Sequence, residues 1–214
     1  MDKTLKRATV IENLPFTIDH VRVLREMKIP RVTSLDQLEE KPLAETIKRA
    51  IDRAYSLIHG KGVFRTFRLD GVDGDTVRGE HTGGLFRGTH MVKLLGECDY
   101  ATLLACTIGP ELENEAQRLQ ESGEITDAYA LDAVGGWMAD YMADRVDERV
   151  EREIKRAGYG RTMRFSPGYG DWALDSQPEV LRLAEAERIG IALTGTNIMI
   201  PRKSVSAVIG WKRL

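Results

Sequence analysis

The chain has 214 residues, 42% of them hydrophobic and 30% charged, so it can bury a sizeable core and is too apolar to stay disordered. Its 31 basic and 33 acidic side chains leave a net charge of -2, which provides no global field for holding nucleic acid. No apolar core follows residues 1–6, and nowhere do about eighteen apolar residues run together, so neither a secretory leader nor a membrane span is expected.

The first clear element is a helix over residues 34–59. Ser34 is a candidate N-cap, Leu38, Ile47, Ile51, Ala54 and Ile58 recur at helical spacing, and Pro42 breaks or restarts the helix. Residues 63–69 alternate apolar and basic side chains as a half-buried strand does, and residues 70–75 read as a turn. The aspartates of that turn do not make a calcium loop, because Val72 occupies a ligand position and no glutamate closes it.

A short helix is predicted over residues 90–96, a buried strand over 100–108 and a helix over 111–121 opened by Pro110. Cys98 and Cys106 lie in this apolar stretch without zinc-ligand spacing and read as buried reduced thiols, which suits a cytoplasmic protein. The longest helix spans residues 125–157, with Leu131, Val134, Met138, Met142, Val146, Val150 and Ile154 on one stripe. Small residues surround the stripe up to Ala143 and mixed charges follow, so a buried first half and a solvated second half are expected.

Gly158-Tyr159-Gly160 stops that helix, and a capping-box pattern at Ser176-Gln177-Pro178-Glu179 starts another that ends near Gly190. The segment between them has no convincing period and is longer than most connections, as functional loops often are. Two strands follow, over residues 196–200 and 204–211. Short strands among longer helices predict an α+β fold, helices packed around a mostly antiparallel sheet. The chain reads as one domain over residues 1–214, its first 75 residues or so mainly helical.

The aperiodic loop holds the densest chemistry. Within Arg164-Phe165-Ser166-Pro167-Gly168-Tyr169-Gly170-Asp171-Trp172, an arginine fork can take a carboxylate, the glycines admit close backbone approach, Tyr169 or Trp172 can stack on a base or face a cation, and Asp171 can meet an ammonium. These types fit a zwitterionic, sulfonium-bearing nucleoside. The same residues also fit a plain turn at Ser166-Pro167-Gly168, with both aromatics plugging the core and Arg164 on the surface. Elsewhere, His20, His59, His81 and His90 lack metal-site spacing, Ser204 and Ser206 share a strand face without a triad partner, and the charges of residues 144–156 read as a solvated helix face. No catalytic residue and no metal site are assigned.

The run Arg164-Phe165-Ser166-Pro167-Gly168-Tyr169 resembles the Arg-x-x-x-Gly-Tyr-Pro signature of the activation domain of cobalamin-dependent methionine synthase, with Gly170 in place of the final proline. Ala139-Asp140-Tyr141-Met142 with Arg145-Val146 is similar to the family's preceding helix, and Leu193-Thr194, Ile200-Pro201 and Ser204-Val205-Ser206 to its following strands, so residues 90–210 are covered. The resemblance implies a fold that binds S-adenosylmethionine in a shallow groove. It also implies that this methyl donor serves the reductive remethylation of cob(II)alamin carried by a separate methionine synthase core, with flavodoxin or a similar reductant. Arg164 would hold the methionyl carboxylate, the backbone near Ser166 and Gly168 would meet adenine, and Tyr169 would shape the pocket.

Gly136 stands where the family helix offers a carboxylate to the ligand's ammonium, and Asp140, one turn later, is the substitute. The family's acidic N-terminal contact has no match in residues 1–75, and Leu214 ends the chain before a tyrosine-bearing extension. The run Gly79-Glu80-His81-Thr82-Gly83-Gly84 lacks the aspartate of a cobalamin-binding Asp-x-His-x-x-Gly motif, so the corrinoid is expected on the partner. On this reading the chain is an activation subunit without turnover of its own. Two other readings are a reactivator of a different corrinoid protein and an S-adenosylmethionine-dependent methyltransferase with its own substrate; no Rossmann glycine pattern supports the latter.

Overall fold

The computed structural model describes residues 7–29 and 31–214; Pro30 and residues 1–6, which carried the leader argument, lie outside the described residues. The fold is α+β. Among the described residues six α-helices, α1 (His20–Glu26), α2 (Lys41–Leu57), α3 (Thr89–Leu95), α4 (Glu111–Glu121), α5 (Ile125–Arg156) and α6 (Gln177–Ala184), pack on antiparallel strands. The main sheet joins β1 (Thr9–Ile11), β2 (Lys61–Asp73), β3 (Thr76–Gly79), β4 (Phe86–Arg87), β5 (Cys98–Thr107), β6 (Tyr159–Arg161) and β9 (Ser204–Arg213). Its order is β4-β3-β2-β5-β9-β6, with β1 also on β2, while β7 (Ala192–Leu193) and β8 (Met199–Ile200) form a separate hairpin.

Register decides what each face of the sheet buries. Phe64 pairs with Leu104 and Leu104 with Ala207, and this row lies in the core shared with α1, α2, α4 and α5. The neighbouring rows carry Leu103, Val208, Val63 and Ala105 to the opposite face, under α3, α6 and the loop after β6. Helix α5 lies close on the sheet because β2 offers glycine there: a Cβ on Gly62 would stand 2.4 Å from Val146 Cγ2. Its own Gly135 admits Leu112 of α4 in the same way, a Cβ there falling 2.5 Å from Leu112 Cδ2.

Several boundaries differ from the expectation. The predicted helix over residues 34–59 divides into a 3-10 turn at Leu35–Gln37 and α2, with Pro42 in the first turn of α2, where its missing N–H has no intrahelical acceptor to lose. The described residues up to 75 are not mainly helical, since β1 and all of β2 lie there. Strand β2 continues past the expected turn through a bulge between Leu69 and Gly71, and the hairpin turns at Gly74 and Asp75 instead. Helix α6 ends at Ala184 with Glu185 left-handed, and a 3-10 turn continues to Ile189. The strand expected over residues 196–200 is only β8. Cys98 and Cys106 are buried and unpaired, and burial pushes their thiols up to about 11 and about 12. Among the described residues no helix is long and apolar enough to cross a membrane.

Candidate functional site

The segment after α5 runs along the outer edge of β9, first as β6, then through Thr162, whose N–H donates to Gly210 O, and Phe165, which exchanges both backbone bonds with Val208. It leaves the edge at Ser166-Pro167, where proline can donate nothing to a ladder. The first residues of β9 therefore lack an outer neighbour. An open cleft of about 590 Å³ fills that place, with Asp140 of α5 on one side, residues 163–169 on another, and Gln177 and the β7–β8 hairpin closing it.

The loop is a compact turn. Gly168, with φ 89°, donates its N–H to Trp172 O, and Trp172 N–H donates to Tyr169 O. Below it, the His90, Phe165 and Trp172 rings form a column, with centroids 6.0 and 6.3 Å apart and planes 13° and 22° apart. Gly170 packs on the His90 ring; with φ 57° and an added Cβ 3.0 Å from Nδ1, a side chain there would be strained and would crowd the ring. The proline of the family signature would also need a negative φ there.

Arg164 is largely covered and its Nη1 lies 3.1 Å from Asp144 Oδ1. Asp140 opens on the cleft, yet partial burial raises its carboxyl above the ordinary range; Arg164 opposes that shift, while Asp144 and Glu26 add to it. Asp140 thus stands near two further carboxylates, Asp144 and Glu26, and one guanidinium, while Arg164 and Arg202 are the cations of the cleft lining. Glu26 is the residue that sequence reasoning missed. It comes from the end of α1, and its Oε1 would be 3.3 Å from a Gly136 Cβ, so it stands over the helix position that lacks a carboxylate. Only the packing of α1 on α5 brings the two together, and no local pattern signals it.

Four of the six residues singled out in the sequence, Asp140, Arg164, Ser166 and Tyr169, line the cleft. Tyr169 is 68% exposed and forms its rim. Gly168 shapes the turn behind it. Trp172 is corrected to a core residue: it is 1% exposed, its indole N–H donates to Leu85 O at 2.9 Å, and Phe165 rather than Trp172 faces the cleft. Asp171 does not meet the cleft either, since its carboxylate is committed to Thr89 and His90. Ser204 and Ser206, read as structural hydroxyls, lie on the cleft wall.

A larger hollow of about 770 Å³ lies between α4 and α5, but its walls carry Glu113, Gln117, Gln120, Glu121 and Asp132. The smaller cleft suits a nucleoside better, because Met163, Phe165, Leu174, Ile198 and Val205 supply apolar surface beside the charged cluster.

The family model described as vitamin B12 dependent methionine synthase, activation domain, matches residues 90–213. A solved structure described as the MetH reactivation domain bound to AdoHcy is similar with a TM-score of 0.68 and 19% sequence identity, covering 96% of this chain and 78% of that one. At that identity the likeness shows a shared fold. No curated protein sequence matches the chain.

Proposed function

The chain belongs to the activation-domain family of vitamin B12 dependent methionine synthase, and from that premise we propose that its cleft binds S-adenosylmethionine in support of a separate cobalamin-bearing synthase core. The observation that carries this reading is the meeting of Arg164, Asp140 and an apolar wall in one open cleft. Arg164 takes the methionyl carboxylate in place of Asp144, whose exposed side chain can return to solvent. Asp140, with Glu26 beside it, accepts the ammonium. Ser166 and the open edge of β9 face the adenosyl group, and Tyr169 covers it from the rim.

The carboxylates near Asp140 help to separate this ligand from its demethylated product. The sulfonium gives the methyl donor one more positive charge than S-adenosylhomocysteine, so Asp140, with Asp144 and Glu26 near it, favours the donor. Bound there, S-adenosylmethionine supplies an electrophilic methyl group to cobalamin held by the partner, with flavodoxin or a similar reductant providing the electron. The cleft must stay open for that near-contact, and the exposed Met163, Tyr169 and Ile198 border it as an apolar rim. The protein acts in the cytoplasm and has no turnover alone.

The test is calorimetric titration of the purified chain with S-adenosylmethionine, alone and beside a synthase core. Arg164→Ala is expected to weaken binding roughly ten- to hundred-fold, the range for losing a hydrogen-bonded charge pair. Lack of binding under both conditions refutes the reading, and tight binding indifferent to the substitution refutes the role of Arg164.

A further inference from the structure

The sulfur atoms of the chain differ sharply in what can reach them. The sequence carries two cysteines and seven methionines, of which Met1 lies outside the described residues. Both thiols are buried, and burial pushes them up to about 11 and about 12, so at neutral pH almost none of either is the thiolate that an oxidant attacks. A thioether needs no ionisation, so solvent access decides which methionine reacts. Met27, Met91, Met138 and Met142 lie in the core, none of them more than 7% exposed. Met199 is half-buried in the β7–β8 hairpin. Met163 is 68% exposed, the most open sulfur among the described residues.

Its place gives that openness a consequence. Met163 immediately precedes Arg164, lines the cleft, and shares the apolar rim with Tyr169 and Ile198. Thr162 N–H donates to Gly210 O, the Thr162 hydroxyl donates to Met163 O, and Phe165 exchanges both backbone bonds with Val208. The exposed side chain thus projects from a backbone held to β9 on both sides.

We infer that Met163 is a peroxide-sensitive modification site, and that its sulfoxide weakens docking of the cobalamin-bearing partner over the cleft. The docking half of the inference rests on the function proposed above. In the modification, the thioether sulfur gives a lone pair to one oxygen of hydrogen peroxide and the O–O bond breaks. The departing hydroxide takes the proton of the transferred oxygen and leaves as water, so sulfur loses two electrons and peroxide gains them. The product carries a polar S=O group where the rim was apolar, and a methionine sulfoxide reductase can reverse it. A partner that covers the rim must then strip water from that oxygen with no donor placed to meet it, which costs affinity.

The experiment exposes the purified chain briefly to hydrogen peroxide, removes the peroxide, and maps the sulfoxide by peptide mass. Met163 is expected to oxidise several times faster than Met199 or the core methionines, with both cysteines unmodified. Titration against an untreated synthase core then compares untreated, oxidised and reductase-repaired chain, for wild type and for Met163→Leu, each against its own untreated form. Oxidised wild type is expected to bind the core about ten-fold more weakly, repair to restore it, and Met163→Leu to show no response to peroxide. Equal or faster oxidation of another described methionine, unchanged binding after Met163 is oxidised, or a peroxide effect that persists in Met163→Leu overturns the inference and leaves the cleft reading standing. If the untreated chain does not bind the core, the partner reading fails and the docking half with it, while the peptide map still decides the modification site.

Discussion

Asp171 and His90 are joined twice: the Asp171 carboxylate accepts the His90 backbone N–H at 3.1 Å, and its Oδ1 lies 2.9 Å from the His90 ring Nδ1. The same carboxylate accepts the Thr89 N–H at 2.7 Å, so Asp171 caps α3 from a loop 82 residues away. Gly88 leaves room for this contact, since a Cβ there would stand 2.9 Å from the carboxylate. The loop bearing Arg164 and Tyr169 is thereby fastened at its far end.

Asp171→Asn keeps the side chain's size but removes the charge and one of its two acceptor oxygens. It is expected to lower the melting temperature at neutral pH and weaken S-adenosylmethionine binding. Burial pushes the Asp171 carboxyl up, but the bonds from His90 and Thr89 outweigh it and hold the group below its ordinary 3.8. A carboxyl depressed by folding stabilises above its unfolded pKa, and that contribution is lost as pH falls through the lowered value. Melting curves should therefore separate wild type and variant at pH 7 and converge well below pH 3.8. An equal gap at both ends would show that charge has no part in the fastening.

Asp140→Asn should act in opposite directions on stability and binding. The folded protein raises this carboxyl above 3.8, so ionised Asp140 weighs against folding, increasingly as pH rises through the raised value. The ligand-free variant should melt higher than wild type at pH 7, with the gain shrinking under acid. Its affinity for S-adenosylmethionine should fall about ten-fold, because the ammonium loses a charged acceptor. Melting and titration of one preparation check both, and a variant that binds as wild type does would remove Asp140 from the site.

Gly62→Ala tests the seat of α5 on the sheet. The new methyl would meet Val146 Cγ2 at 2.4 Å, and a branched valine has little freedom to withdraw. A loss of about 1–3 kcal/mol is expected, the usual range for overpacking a core. Gly195→Ala, where an added Cβ meets nothing within 4 Å, is the control. Denaturant unfolding of the two variants should show the first clearly weaker and the second close to wild type.

The legible parts of the fold share a property. Helix α5 is seen within about one residue of its ends because its stripe repeats over 32 residues, and β5 because its run is apolar between clear stops. Helix α2 was blurred at its start because Ser34, a good cap by type, makes no side-chain cap bond and precedes only a 3-10 turn. Strand β8 was overestimated because the Thr194 hydroxyl accepts the N–H groups of Thr196 and Ile198, turning the chain where its composition suits a strand.

From the sequence alone came the α+β class, the family resemblance and the placing of Arg164, Ser166 and Tyr169 in one loop, because periodicity and a contiguous motif are local properties. The tertiary structure decided which groups meet. It sent Trp172 into the core and Phe165 to the cleft, brought Glu26 over Gly136 and committed Asp171 to α3. Each of those contacts depends on strand register or on one helix packing against another, and neither is written in any short stretch of chain.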